Sequence, residues 1–225
     1  MGKLIERLAE EKGHEIAVII DDADAALSAA ELAVELSGAD VAIDFTVAEA
    51  VRRNTEACVA AAVPLVEGTT GWAADKAEIE RIVTIGNGSF VFGANFSIGV
   101  NLFYRIADFA AELFAKFPEY EVFLEEQHHS RKKDAPSGTA LKIKAIVAKH
   151  IAKDLSVSAT RAGNIPGTHR VGFDGPADQV LLEHTARSRE GFAAGSLLAA
   201  EWIVGKTGFY EFTDVMDEIL RSNNI

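Results

Sequence analysis

The segment formed by residues 128–139 reads H-H-S-R-K-K-D-A-P-S-G-T and combines side chains that can move protons with side chains that can bind anions. It opens with two histidines, and histidine is the usual general acid or base near neutral pH. Three cations, Arg131, Lys132 and Lys133, follow after Ser130, in a chain that is otherwise acidic. The segment therefore offers two histidines, His128 and His129, as candidate proton donors or acceptors beside a group of cations.

The end of this segment predicts the start of a helix. Proline suits the first turn of a helix, because its missing N–H would be unpaired there anyway. Ser137 can cap the helix, while Gly138 and Thr139 present backbone N–H groups that favour a bound carboxylate. We expect the helix to run from about 137 to 154. A solvated basic loop before an ordinary capped helix is the alternative, but the histidines ahead of it favour a site for a small dicarboxylate.

Polar and glycine residues follow three apolar stretches in the first half of the chain. They read D-F-T at 44–46, G-T-T-G at 68–71 and G-A-N-F at 93–96. Doubly wound sheets bind ligands at the carboxyl ends of their strands, where glycine lets the backbone approach closely. A further stretch ends in Asp21 and Asp22, and a carboxylate there favours a free ribose hydroxyl, hence NADH over NADPH. Each of these could singly be an ordinary loop, but together they predict a dinucleotide site.

The pyrophosphate fingerprint of a dinucleotide site is a strand, then G-x-G-x-x-G, then a helix. This sequence begins Met1-Gly2-Lys3 and enters a predicted helix at once, so Gly2 corresponds to the last step of such a loop. We expect the first strand and most of the glycine-rich loop to be missing from the sequence as given. A misassigned start codon or a truncation would explain this, and a natural variant with altered cofactor binding is the alternative.

Strands and helices alternate through the first half, which predicts a doubly wound α/β domain with a parallel sheet. The predicted strands are 15–20, 40–46, 64–67 and 89–94, and the predicted helices are 2–12, 24–37, 48–62 and 74–86.

The second half predicts an α+β layer with a mixed or antiparallel sheet. Its predicted helices are 99–117 and 137–154, and its predicted strands are 120–127, 156–161, 169–174 and 178–186. An apolar helix at 192–204 and a tail close the chain, and we expect a domain boundary near 95–100.

Composition excludes several classes of function. The chain has 225 residues, of which 48% are hydrophobic and 25% charged, as in ordinary globular proteins. Its net charge of −12 argues against general nucleic-acid binding, which needs a basic face. No apolar run reaches the length of a membrane helix, and the single cysteine, Cys58, cannot form an internal disulfide. We therefore expect a cytoplasmic protein with no membrane or nucleic-acid partner, and no spacing predicts a metal site.

The segment at 128–139 resembles the signature of the 4-hydroxy-tetrahydrodipicolinate reductase family, also called dihydrodipicolinate reductase. The resemblance covers nearly the whole chain, including D-F-T, G-T-T-G, A-N-F-S-I-G-V-N, R-S-R-x-x-F-A-x-G and G-K-T-G-F-Y. It implies that NADH or NADPH reduces a cyclic, unsaturated dicarboxylate imine on the route to diaminopimelate and lysine. It also implies a homotetramer assembled largely through the sheet of the substrate domain.

The same resemblance implies a role for individual residues. His128 resembles the family's proton donor or acceptor, and Lys132 resembles its cationic partner. The implied substrate contacts are His129, Ser137, Gly138 and Thr139. The implied cofactor contacts are Gly2, Asp21, Phe45, Thr46, Gly68, Thr69, Thr70, Ala94, Asn95, Phe96 and Arg189. Residues 1–98 with 189–225 would form the dinucleotide-binding domain, truncated at its start, and residues 99–188 the substrate-binding and tetramerisation domain.

Two other functions remain open at this point. The chain could be an inactive or cofactor-impaired homologue that binds a pyridine-type dicarboxylate or serves as an assembly subunit. It could also be a different dinucleotide enzyme, such as an amino-acid or semialdehyde dehydrogenase. Such enzymes have no reason to combine His-His with P-S-G-T, so the reductase is the favoured interpretation.

Overall fold

A computed structural model describes residues 1–222 and divides the chain into two compact units. Unit 1 contains Met1–Ser97 and the chain from Phe192 onward, and unit 2 contains Ile98–Gly191. Each unit has a four-stranded sheet of its own. Within residues 1–222, no helix combines the length and the apolar character needed to cross a membrane.

Within the described residues, the strands are β1 Ala42–Asp44, β2 Leu65–Glu67, β3 Ser89–Phe92, β4 Glu121–His128, β5 Val157–Arg161, β6 Thr168–Asp174, β7 Gln179–Thr185 and β8 Gly208–Glu211. The α-helices of the same part of the chain are α1 Gly2–Glu11, α2 Ala29–Glu35, α3 Ala48–Ala61, α4 Lys76–Ile85, α5 Ile98–Phe114, α6 Gly138–Val147, α7 Glu190–Ile203 and α8 Phe212–Ser222. Short 3-10 turns lie at Asp22–Asp24 and Ala73–Asp75.

The sheet of unit 1 is parallel throughout, in the order β1-β2-β3-β8, as the alternating pattern predicts. Its central strands are buried on both faces, because helices cover a parallel sheet on each side. Val66 of β2 and Phe90 and Val91 of β3 are accordingly inaccessible to solvent. The predicted Rossmann-like class of this half is therefore confirmed.

The sheet of unit 2 is mixed, which is also confirmed. Its order is β5-β4-β6-β7, with β5 parallel to β4 and the other pairs antiparallel. Val171 and Phe173 of β6 pack with Phe103 of α5 and Ile143 of α6 in one core cluster. These two helices therefore cover one face of the sheet, and the opposite face is not part of this core cluster.

The structure differs from the predicted elements in three places. The segment 15–20 is not a strand, because no described strand lies beside it to share hydrogen bonds. Helix α6 ends at Val147 rather than near 154, since the chain turns there and then buries Leu155 in the core of unit 2. The tail contains strand β8, which the sequence pattern does not predict, and Phe209 of this strand stacks on Phe90 with 5.0 Å between ring centroids.

Helix α7 lies against the backbone of residue 96 so closely that only glycine fits. A Cβ atom added to Gly195 would lie 1.7 Å from the carbonyl oxygen of Phe96. We predict that Gly195→Ala lowers the free energy of unfolding by about 3 kcal/mol, because the helix must move to relieve the overlap. Thermal unfolding would then show a clear fall in Tm.

Gly2→Ala is the matched control, because a Cβ there would meet no atom within 4 Å and the residue is already helical. A Gly195→Ala variant as stable as the Gly2→Ala variant would contradict this close packing.

Candidate active site

The side chains of β4 that face the helices change from apolar to polar as the strand approaches its end. Alternate residues of a strand share one face. Val122 and Leu124 belong to the core cluster on this face, and Glu126 and His128 follow them in the same alternation. The polar pair is nonetheless buried, so it must be satisfied from within the protein.

Glu126 is the central group of this site, and its carboxylate lies out of contact with solvent. One oxygen, Oε1, accepts a hydrogen bond of 2.9 Å from the backbone N–H of Ser137 and another from the Arg161 guanidinium. Burial raises the pKa of Glu126, but the hydrogen bonds from Ser137 and Arg161 lower it more, so the net pKa lies below its ordinary value. The group is therefore a buried anion at neutral pH.

Two buried imidazoles lie against the other oxygen of Glu126. His128 Nδ1 is 3.5 Å and His169 Nε2 is 3.7 Å from Oε2, and the two rings meet edge to face. Burial lowers the pKa of both histidines, that of His169 to about 4 with a further contribution from His128. Both rings are therefore neutral near pH 7. His128 can then accept a proton or relay one, as a general acid or base must.

Sequence reasoning missed His169, because no local motif marks it. It comes to the site through strand pairing, since β6 runs antiparallel to β4 and sets His169 opposite Glu126. Its Nε2 is also 3.3 Å from the Ser137 hydroxyl.

The start of α6 has the geometry that the P-S-G-T sequence predicts. Ser137 caps the helix by accepting a hydrogen bond of 3.2 Å from the backbone N–H of Ala140. Gly138 leaves open space, since an added Cβ would meet no atom within 4 Å. Thr139 lies in the first turn behind it. A helix start of this kind, open on one side, suits a carboxylate ligand.

Lys132 lies next to this helix start, where its ammonium forms an ion pair of 2.8 Å with Asp134. The hydrogen bond from Lys132 lowers the pKa of Asp134, and the backbone N–H of Gly138 contributes in the same direction. The Asp134 carboxylate thus interacts with an ammonium and with a helix N-terminus together. A substrate carboxylate would need the same two partners. His129, between the strand end and this loop, is half-buried.

Gly167 is a second residue that the sequence analysis missed. Its φ of +135° is one that residues with a side chain rarely adopt. A Cβ there would also lie 3.2 Å from His128 Nε2. Glycine at this position therefore keeps the outer edge of the His128 ring unobstructed.

In unit 1 the loops after β1 and β2 are joined by hydrogen bonds. The backbone N–H of Thr46 donates to the side chain of Asp44 at 2.8 Å and to the hydroxyl of Thr69 at 3.0 Å. The ring of Phe45 lies over Gly68 so closely that a Cβ there would meet it at 2.2 Å. These predicted cofactor residues therefore form one rigid surface at the carboxyl ends of the strands.

The remaining predicted cofactor residues lie in different surroundings. Phe96 is buried, with its ring against Phe45 and Phe212, so it shapes the loop after β3. Asp21 is exposed and accepts the backbone N–H of Ala23 at the 3-10 turn. The other predicted cofactor residues are more accessible to solvent. In the loops of unit 1, Thr70 and Ala94 are exposed and Asn95 is half-buried, and near the end of unit 2 Arg189 is exposed.

A pyridine dinucleotide fits the start of α1. Its N-cap residue is Met1, which forms no side-chain cap, and its first turn carries no acidic residue. A Cβ at Gly2 would meet nothing within 4 Å, so a phosphate can approach the first backbone N–H groups. Met1 and Phe45 both pack against the apolar cluster that contains Ile5 and Ala193, so α1 lies beside the loop after β1.

Glu67, at the end of β2, is a buried acid that the sequence analysis missed. Its side chain is fully inaccessible, and its Oε1 accepts a hydrogen bond of 2.6 Å from the backbone N–H of Thr69. Burial raises the pKa of Glu67 to about 8, with a further contribution from nearby Asp44. Glu67 is therefore largely protonated at neutral pH and holds the G-T-T-G turn as a neutral group. The signal in the sequence is an acid that ends the apolar strand L-V-E.

Comparison with known families matches both halves of the chain. Residues 1–96 match the model of the dihydrodipicolinate reductase N-terminus, and residues 99–216 match the model of its C-terminus. A 4-hydroxy-tetrahydrodipicolinate reductase of Christiangramia forsetii is 33% identical over 99% of this chain and 96% of its own. That of Methanosarcina barkeri is 37% identical over 83% of this chain and 76% of its own.

Solved structures share the fold. A dipicolinate-bound dihydrodipicolinate reductase from Paenisporosarcina sp. TG-14 superposes with a TM-score of 0.65 at 24% identity, over 78% of this chain and 73% of its own. An amine dehydrogenase from Mycobacterium smegmatis reaches a TM-score of 0.59 at 9% identity, over 95% of this chain and 92% of its own.

The raised pKa of Glu67 predicts that stability falls as pH rises. The folded chain holds this proton up to a pKa of about 8, whereas an exposed glutamate loses it near 4.5. The stabilisation is complete below about pH 4.5 and is lost as pH rises through about 8. We predict that Glu67→Gln, which stays neutral, is more stable than the parent by about 2–4 kcal/mol near pH 9 and equal to it near pH 5.

Denaturant unfolding at several pH values measures this difference. Glu80→Gln is the control, because Glu80 is an exposed acid of the same unit. If Glu67→Gln and Glu80→Gln lost stability equally with rising pH, Glu67 would not be the titrating group.

Proposed function

The chain belongs to the dihydrodipicolinate reductase family, and from that premise we propose how its residues perform the reduction of 4-hydroxy-tetrahydrodipicolinate to tetrahydrodipicolinate with NAD(P)H, in which the 4-hydroxyl group leaves as water. The reaction is a step in the biosynthesis of diaminopimelate and lysine. Both family models and two relatives above 30% identity support this assignment. The substrate is a small cyclic dicarboxylate, and the reductant is a pyridine nucleotide.

The observation that carries the proposal is the convergence of three segments on one small region of unit 2. Strand β4 supplies Glu126 and His128, the loop after it supplies Lys132, and helix α6 begins at the same place. The Glu126 carboxylate ties the strand to the helix through the N–H of Ser137. This arrangement supports a site in which a histidine relays a proton, a lysine supplies an ammonium and the helix start receives a carboxylate.

Protonation is assigned to His128 and Lys132. The bound nucleotide supplies a hydride, and negative charge that develops on the ring of the substrate must then be quenched by a proton. The Lys132 ammonium can donate this proton, and the neutral His128 ring can accept or relay one. Lys132 would exchange its Asp134 partner for the substrate, and the ion pair with Asp134 holds the ammonium in place until the substrate binds.

Substrate orientation is assigned to the helix start and to His129. Ser137, Gly138 and Thr139 form the first turn of α6, where backbone N–H groups and the helix dipole favour a carboxylate. Because a cyclic dicarboxylate has two such groups, fixing one by this turn and the other by neighbouring cations sets which ring atom receives the hydride.

For the cofactor, we propose a preference for NADH. Asp21 and Asp22 are exposed carboxylates at the end of the stretch 15–20, and Asp21 is the predicted ribose ligand. They would repel a 2′-phosphate and accept a hydrogen bond from a free ribose hydroxyl. The phosphates of either nucleotide would meet the uncapped start of α1 at Gly2, and the loops at Phe45, Thr46 and Gly68–Gly71 would line the nicotinamide half. We also propose a cytoplasmic location, which is compatible with the use of this nucleotide.

We also propose a homotetramer assembled through the outer face of the unit 2 sheet. Phe123, Gly172 and Leu181 form one cross-strand row, on the face opposite the core. Leu181 is 46% exposed, which leaves an apolar surface at the edge of the sheet. Arg170, in the next row, pairs with Glu125 and Glu183 and gives the face a charged border. A second copy presents the same surface and would cover it symmetrically.

Removing the Lys132 ammonium should slow the chemical step. We predict that Lys132→Ala lowers kcat by about 10²–10⁴-fold, because general acid catalysis contributes that much, while the dissociation constant for NADH stays within about twofold. Steady-state kinetics and fluorescence titration with NADH measure the two quantities. Lys133→Ala, the same change at the adjacent exposed lysine, should keep near-parental turnover. Parental kcat in Lys132→Ala would refute the assignment.

The cofactor proposal makes a separate prediction. The parent should have a higher kcat/KM with NADH than with NADPH, and Asp21→Ser should shift the ratio toward NADPH by about two- to fivefold, since one exposed charge contact is worth roughly 0.5–1 kcal/mol. Glu15→Gln, an exposed acid on the same segment, serves as the control. If Asp21→Ser left the ratio of kcat/KM with NADH to that with NADPH unchanged, Asp21 would not determine the nucleotide preference.

A charge placed in the apolar row should dissociate the tetramer. We predict that Leu181→Lys yields smaller species in size-exclusion chromatography with light scattering, because the interface would bury an unpaired ammonium. Val34→Lys, on an exposed position of α2 in unit 1, should leave the mass unchanged. Equal masses for the parent and the Leu181→Lys variant would place the subunit contact elsewhere.

A further inference from the structure

Three buried side chains in unit 2 lie close together and have the residue types of a metal site. Glu126, His128 and His169 each offer one ligand atom, and these atoms all lie within 4.8 Å of one another. Two histidines and one carboxylate form a set that binds zinc and related divalent transition metals. The sequence predicts no such site, because its third member is on β6, far along the chain from the other two.

The distances fit a tetrahedral ion. Ligand atoms about 2.0–2.1 Å from zinc in tetrahedral geometry lie about 3.4 Å from one another. The separations from Glu126 Oε2 are 3.5 Å to His128 Nδ1 and 3.7 Å to His169 Nε2, which are close to that edge length. The third separation, between His128 Nδ1 and His169 Nε2, is within 4.8 Å, so side-chain rotation must bring these two nitrogens onto one ion.

Two of the three ligand atoms also lack another partner. Among the described residues, Glu126 Oε2 and His128 Nδ1 are buried and form no hydrogen bond, although buried polar atoms are nearly always paired. The separation of 3.5 Å is too long for a good hydrogen bond between them. Burial keeps both imidazoles neutral, since it lowers the pKa of His128 and of His169, and it is the neutral ring that binds a metal.

We propose that Glu126, His128 and His169 bind one divalent transition metal ion of the Zn²⁺ class, and that the bound ion inhibits the enzyme by taking His128 out of proton transfer. Ser137, whose hydroxyl is 3.3 Å from His169 Nε2, or a water molecule can complete the coordination. Arg161 stays on the other oxygen of Glu126 and neutralises it in the metal-free state. The binding claim is independent of the reaction, whereas the inhibition claim rests on the role proposed for His128.

Binding is tested directly, in the absence of substrate and nucleotide. The parent protein is titrated with ZnCl₂ against a metallochromic indicator, and with CoCl₂ to record the visible bands of tetrahedral Co²⁺. We expect one ion per chain and the tetrahedral spectrum. His169→Gln should weaken zinc binding by at least about tenfold and abolish the spectrum, since it removes a direct ligand.

His184→Gln is the matched control. His184 pairs directly with His169 across β6 and β7 but is not among the three ligands, so this variant should bind zinc like the parent. Circular dichroism and thermal unfolding of both variants establish that they are folded. Absence of zinc binding in the parent, or equal binding by the parent and a folded His169→Gln variant, overturns the proposal.

Inhibition is measured separately, as loss of turnover on adding zinc and its recovery on adding a chelator. We expect the parent and His184→Gln to be inhibited over the same range of zinc in which they bind it, and His169→Gln to require at least about tenfold more. Zinc bound by the parent without loss of turnover would overturn the inhibition claim. A Lys132→Ala variant that keeps full turnover would refute the proposed proton step and leave the binding result intact.

Discussion

The structure of the candidate site depends on one buried anion. Glu126 has no access to water, so its charge must be compensated by groups that the fold brings to it. The compensation comes from the backbone N–H of Ser137, at the start of α6, and from Arg161, at the end of β5. A charge in this position therefore fixes a helix start and a neighbouring strand relative to β4. Breaking it by removing one partner would leave an unpaired charge in the interior, which is strongly unfavourable.

The same anion determines what the helix start can do. The N–H of Ser137 is engaged by Glu126 and its hydroxyl caps the helix, so the N–H groups that a substrate carboxylate can use begin at Gly138. The Gly138 N–H interacts with the Asp134 carboxylate, which the substrate would have to displace. His128 follows Glu126 on the same face of β4 and cannot turn away from it without leaving the strand. In unit 1 the corresponding constraint is Glu67, which is held neutral by burial and orients the turn at Thr69. One half of the enzyme thus uses an ionised buried acid and the other a protonated one.

Local patterns predicted much of this arrangement. The P-S-G-T sequence predicts the capped start of α6, and the D-F-T and G-T-T-G motifs follow strands as expected, because capping and strand termination are decided by nearby residues. His169 and Gly167 could not be found this way, because they reach His128 only through strand pairing between β4 and β6 and through the turn before it. The predicted strand at 15–20 is wrong because strand formation also depends on distant residues. A β-branched sequence forms a strand only where another strand lies beside it. Phe96, in a loop, and Glu67, at the end of β2, are both buried. The sequence pattern predicts the strand ends and loops but does not predict which of their side chains are buried.

The substitution Glu126→Gln tests the dependence of the site on this anion most directly. It keeps the shape of the side chain and removes the charge that Ser137, Arg161 and the two histidines surround. Steady-state kinetics with varied substrate, combined with NADH titration, would separate an effect on the substrate site from an effect on nucleotide binding. The account predicts a lower kcat and a higher KM for the dicarboxylate, with the dissociation constant for NADH unchanged, because the variant disturbs unit 2 alone. Parental kcat and KM in a folded Glu126→Gln variant would contradict it.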